Sequence, residues 1–114
     1  MKIYPTILPP GTLEITELFE IAGTAGVPTN LNVGVAGFSD GLRHPAEGMA
    51  AHDQDEISIV LDGSFLLETK DGEHLCKSGD VIHIPAGEDH ASTAQGNSKV
   101  FYVLFGENLN IVKD

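Results

Sequence analysis

The stretch Glu56-Ile57-Ser58-Ile59-Val60-Leu61-Asp62-Gly63-Ser64-Phe65-Leu66-Leu67-Glu68-Thr69-Lys70-Asp71-Gly72-Glu73-His74-Leu75-Cys76-Lys77 decides the fold. Its apolar runs are short, and each is followed by an Asp-Gly pair. Asp-Gly favours the positive φ angles of a tight hairpin turn, so two such pairs nine residues apart predict a three-stranded meander. The punctuation continues outward, because 13 Gly and 6 Pro spread along 114 residues cut the chain into short segments without a flexible linker. Val81-Ile82-His83-Ile84, ended by Pro85, reads as a strand, as does the β-branched, Gly-interrupted segment from Leu31 to Phe38. The segment from Lys99 to Phe105 holds an apolar run suited to burial on both faces. From Leu13 to Ile21 two patterns compete: Thr12 can cap a short helix presenting Ile15, Leu18, Phe19 and Ala22, or Leu13 and Ile15 alternate with Glu14 and Thr16. The alternation is the preferred reading. About nine or ten short strands of this kind imply an all-β sandwich or barrel, closed to limit exposed edges.

The length predicts one domain over residues 1–114, and 41% hydrophobic against 20% charged residues allow a modest core. Six Lys plus Arg against 17 Asp plus Glu leave a formal charge of -11, which repels nucleic acid and anionic membrane alike. Cys76 is the sole cysteine, so an intramolecular disulfide and a four-thiolate zinc site are both excluded. The opening residues lack the apolar core of a signal peptide and no run approaches a bilayer-spanning length, so a soluble cytoplasmic protein is expected. The apolar run from Val100 to Phe105 and the exposed sheet edges of a small domain favour a homodimer.

His44, His52 and His90 lie in polar, turn-rich stretches, where ligands delivered to a cavity usually sit. In a straight strand His52 and Glu56 would share a face about 13 Å apart, so both reach one ion only if Asp53-Gln54-Asp55 turns or bulges. A His/Glu pair with one distant His has the composition of the two-His, one-carboxylate triad, which binds a divalent metal and leaves positions open. A Gly79-Asp80 turn, the strand through Ile84 and a Pro85-x-Gly87 turn place His90 at a fixed offset from a rigid corner.

At these residues the chain resembles the cupin superfamily. The second cupin motif, G-x5-P-x-G-x2-H-x3-N, is matched by Gly79, Pro85, Gly87 and His90, with Ala94 in place of Asn. The first, G-x5-H-x-H-x3-E-x6-G, is matched by His52, Glu56 and Gly63, while Ala50 stands at the first His position and His44 at the opening Gly. The motifs together span residues 44–94. The resemblance implies a double-stranded β-helix, the jelly-roll barrel, commonly dimeric, with one divalent ion of Fe, Mn, Ni, Zn or Cu in its mouth. Carried over residue by residue, His52, Glu56 and His90 become the metal ligands, one fewer than the family's three His and one Glu.

The remaining residues carry paired readings. His44 either fills the vacant ligand position or is an ordinary loop residue before Pro45. Arg43, the lone arginine, either clamps a substrate carboxylate or is a solvated loop residue. Tyr102 either faces the cavity as a substrate-binding proton donor or packs as plain core. His83 alternates with Ile82 and Ile84, so it projects away from both as a structural neighbour, His74 reads as surface and Cys76 as a small buried hydrophobe. Two functions from different classes fit: a metal-dependent protein acting on a small polar molecule such as a sugar or carboxylate, and a non-catalytic module that binds a small ligand, with or without metal.

Overall fold

The computed structural model describes residues 1–6 and 14–107. Seven strands are found there: β1 (Glu14–Ile21), β2 (Thr29–Phe38), β3 (Arg43–His44), β4 (Asp55–Thr69), β5 (Gly72–Lys77), β6 (Val81–Ile84) and β7 (His90–Glu107). The order β1-β2-β7-β4-β5 is antiparallel throughout, with β3 added to β7 and β6 to β4. Among the described residues no helix is long and apolar enough to cross a membrane. The competing motif at Leu13 to Ile21 resolves as strand from Glu14 onward; Thr12 and Leu13 lie outside the described residues.

Two strands are much longer than the sequence punctuation predicts, and for one reason. Asp62-Gly63 does not reverse the chain. β4 continues through it for 15 residues, because β7 stays paired with it on both sides of the break, from Asp55↔Phe105 to Thr69↔His90. The extra residues are absorbed as bulges between Val60 and Ser64, where Gly63 takes a φ of 73° that an L side chain rarely adopts. The buried Ser98 hydroxyl locks the bend, donating to the Ser64 carbonyl at 3.0 Å and accepting from the Ser64 amide at 3.1 Å. The predicted meander therefore corrects to a single hairpin, β4 to β5, turning at Lys70-Asp71, and nine or ten short strands become seven.

The bend divides β4 and β7 into halves that serve two layers. The first half of β4 and the second half of β7 join β1, β2 and β6; the other halves join β3 and β5. This is the jelly-roll arrangement, with the core between the layers. Ala36, Val60 and Ile84 from one layer meet Phe65, Leu67, Cys76 and Ala94 from the other, and Phe38 stands edge-on to Phe65 with ring centroids 4.9 Å apart. The residues from Val100 to Phe105 are half-buried rather than enclosed on both faces, and their strand lies between β2 and β4, away from any sheet edge.

Candidate metal centre

The inner faces enclose a cavity of about 240 Å³. Its walls are mainly apolar, including Phe38, Phe65, Leu67, Ile82, Val100 and Leu104, and its polar groups include His44, His52, Glu56, Ser58, His90 and Tyr102. Which side chains point inward follows from strand parity: Glu56 and Ser58 are two apart on β4, opposite Leu104 and Tyr102 of β7.

Three backbone ties bring the two sequence-distant stretches together. The Gly87 amide donates to the His52 carbonyl at 2.8 Å, and Ala50 and His90 exchange amide and carbonyl bonds at 3.0 and 2.9 Å. Asp55 accepts from the Ala86 amide at 3.0 Å and contacts His83 Nε2 at 3.1 Å. These two bonds hold the Asp55 carboxyl below the usual carboxylate range, the Ala86 amide contributing most. The Pro85–Gly87 corner is thus stitched to the segment before β4, and the Asp53–Gln54 bend delivers His52 beside Glu56.

The result is a cluster of His52, Glu56 and His90 whose donor atoms all lie within 4.8 Å of one another. His52 Nδ1 is 3.7 Å from Glu56 Oε1, and the His52 and His90 rings meet edge-on at 4.8 Å. Two of the three are oriented from behind. His90 is buried, and its Nδ1 lies 2.9 Å from the Glu88 carbonyl, which makes Nδ1 the proton-bearing donor and leaves Nε2 free to ligate. The Ser58 hydroxyl donates to Glu56 Oε2, leaving Oε1 turned to His52. Burial pushes the His52 pKa down; the Glu56 carboxylate opposes this while His90 and His44 reinforce it. A neutral imidazole is the form that ligates.

The donor set fits a divalent ion. Two imidazoles and a carboxylate suit Zn, Fe, Ni or Cu, and ligands at about 2.0–2.2 Å from an ion sit roughly 3 Å apart, a closure within reach of side-chain torsion here. His44 lines the same cavity, close enough to influence His52, but stands outside the three-residue cluster. Ala50, at the vacant motif position, also lines it.

The structure separates Arg43 from this group. Adjacent to His44 on β3, it faces the other way, where Nη1 donates to the Pro45 carbonyl at 2.8 Å and Nε lies 3.6 Å from Glu68 Oε1. Tyr102 does face the cavity. Gly34, its partner across β2 and β7, makes room for the ring, since a Cβ at Gly34 would overlap the phenol oxygen. Burial, with the nearby Glu17 and Glu56 carboxylates, raises the Tyr102 pKa, so the phenol keeps its proton. Ser58 was not singled out by sequence, although its spacing of two from Glu56 on a strand is the signal that would have found it.

A cupin domain model matches residues 43–106, more than half of the chain. No curated protein matches it. Among solved structures, a cupin superfamily protein from Desulfitobacterium hafniense aligns at 16% identity with a TM-score of 0.69, covering 86% of this chain and 81% of its own. An RmlC-like cupin from Shewanella frigidimarina aligns at 17% identity and a TM-score of 0.65, covering 89% and 82%. KdgF from Halomonas sp. aligns at 21% and 0.63, covering 86% and 81%. At such identities the structures establish a shared fold, and with the domain match they place the chain in the cupin family.

Proposed function

We propose that this protein binds one divalent metal ion through His52, Glu56 and His90 and acts with it on a small polar molecule of the sugar or carboxylate class admitted to the cavity. The observation that carries the reading is the convergence of three donor atoms within 4.8 Å on the wall of that cavity. A bound ion supplies Lewis acidity, polarising a carbonyl or carboxylate oxygen of the guest. The chain's own residues do the rest. Ser58 fixes the Glu56 carboxylate, the Glu88 carbonyl fixes the His90 ring, apolar walls exclude water, and Tyr102 holds a proton at its phenol oxygen within the same chamber.

The test is elemental analysis of the purified protein, then of the protein after exposure to Fe, Mn, Ni, Zn or Cu salts. Near-stoichiometric metal is expected in the wild type, falling at least tenfold in His90→Ala and Glu56→Ala, with far-ultraviolet circular dichroism unchanged. Wild-type occupancy in both variants would sink the assignment. With metal bound, turnover of oxo acids or sugars separates a catalyst from a module that only binds.

A further inference from the structure

We propose that the cavity selects a monoanionic oxo acid or hydroxy acid carrying an apolar body, and rejects sugars and phosphate esters. The inference rests on the metal-site reading above and narrows it to one of the two substrate classes.

Three features of the cavity support this. The first is charge. Among the described residues that line it there is no Lys and no Arg, and Glu56 is the one carboxylate. Two neutral imidazoles, one carboxylate and a divalent ion leave a single net positive charge. One guest carboxylate balances it, whereas a phosphate dianion leaves an unpaired charge among apolar walls, which is costly. The lone arginine is spent outside on Pro45 and Glu68, so no permanently cationic side chain lines the cavity.

The second feature is the wall. Phe38, Phe65, Leu67, Ile82, Val100 and Leu104 offer no hydrogen bonds to the hydroxyls of a sugar ring, and burying hydroxyls unpaired is unfavourable. The side-chain donors and acceptors belong to the cluster of His52, Glu56 and His90 or border it: Ser58 and Tyr102 are cross-strand partners, Ser92 is two residues from His90 on β7, and His44 on β3 pairs with Ser92. A guest with its oxygens at one end and hydrocarbon at the other matches that division.

The third is size. A cavity of roughly 150 Å³ holds benzene, so about 240 Å³ takes a guest of roughly ten heavy atoms. An ion held by His52, Glu56 and His90 would keep coordination capacity for the guest, which the carboxylate and neighbouring oxygen of an oxo acid could meet. α-Ketoisocaproate, the oxo acid with a branched aliphatic tail, meets all three conditions.

The experiment is calorimetric titration of zinc-loaded protein, zinc being redox-inert, with α-ketoisocaproate, pyruvate, glucose and glucose 6-phosphate. The dissociation constant for α-ketoisocaproate is expected to be roughly 50-fold below that for pyruvate, from about three extra buried carbons, and both sugars should bind more weakly than either acid. In Ile82→Thr and Leu104→Thr the α-ketoisocaproate constant should rise about fivefold with zinc and pyruvate binding unchanged. Equal affinity for the two oxo acids, tighter binding of either sugar, or no effect of both wall variants would overturn the proposal while leaving the metal site standing. Metal titration comes first: failure to take up zinc or any of Fe, Mn, Ni and Cu removes the site reading and this proposal together.

Discussion

At the scale of single residues, the cluster of His52, Glu56 and His90 was legible because all three sit at motif positions, and motif spacing encodes the turns that bring them together. What sequence could not resolve is the face each neighbour presents. Arg43 and His44 are adjacent, so one must point away from the cavity, and only the pairing of β3 with β7 decides which. Ser58 is where the residue scale makes its own prediction. The side chain is buried at 3% exposure and its hydroxyl has Glu56 as partner, so Ser58→Ala frees the carboxylate to rotate without disturbing packing. Zinc affinity should fall about tenfold, the usual effect of removing a group that orients a ligand. In a Ser58→Ala/Glu56→Ala double variant the serine change should cost nothing further; an additive loss would mean that Ser58 acts elsewhere. Cys76 gives a second. It is buried at 8% exposure, and burial, helped by Asp80, pushes its pKa up. A thiol whose folded pKa is raised stays protonated through neutral pH, and its folded-state stability is lost only as pH climbs past the unfolded value. Iodoacetamide at about pH 8 should therefore label the native protein at least tenfold more slowly than the protein in urea, and equal rates would contradict the burial.

At the scale of elements, the all-β class and the positions of most strands were readable from alternation and Gly/Pro punctuation, including the segment through Ile21 where helix and strand patterns competed. The strand count was not. An Asp-Gly pair signals positive φ, and both a hairpin turn and a bulge use it; the difference lies in whether a neighbouring strand runs past the break. Here β7 does, so Gly63 bends β4 where Asp71-Gly72 ends it. The two sites should respond differently to substitution. Both glycines have a positive φ that strains an L side chain, but at Gly72 a Cβ would meet open space, whereas at Gly63 it would also overlap the Ser98 hydroxyl. Gly63→Ala should destabilise by about 2–4 kcal/mol, combining a penalty of about 1–2 kcal/mol for the φ with the loss of the Ser98 clasp. Urea unfolding measures this, and Ser98→Ala in the same background should add less than it costs alone, because the overlap is already relieved. An unchanged urea midpoint for Gly63→Ala would mean that the bend relaxes without strain.

At the scale of the whole molecule, two properties oppose each other. On the side of β2, β7, β4 and β6 away from the cavity, Val35, Phe101, Ile59 and Val81 form one cross-strand row and Val33, Val103, Ile57 and His83 the next; Val35 and Val33, at 0% and 5% exposure, are already covered, so the accessible apolar surface lies toward β6. At its β6 margin Val81 is 68% exposed and Ile57 41%. The expectation of a homodimer rested on the apolar run from Val100 to Phe105 and on exposed sheet edges; that run lies in a central strand hydrogen-bonded on both sides, so it offers no edge of its own. Against this stands the formal charge of -11, which makes each copy repel the next. We propose a homodimer through the exposed apolar margin at Val81 and Ile57, with an affinity set by the balance. Because the apolar gain is insensitive to salt while repulsion is screened over about 8 Å at 0.15 M, dimerisation should tighten as salt rises from roughly 0.02 to 0.5 M. Most protein interfaces built on opposite charges do the reverse, so the sign of the salt effect is diagnostic. Light scattering at micromolar concentration should give a dimeric mass at about 0.15 M salt, and Val81→Asp should shift it to the monomer by placing a carboxylate at the contact. A monomeric mass across the whole salt range would overturn the proposal, and a dimer that dissociates as salt is added would mean that it is held through charge-paired surfaces instead.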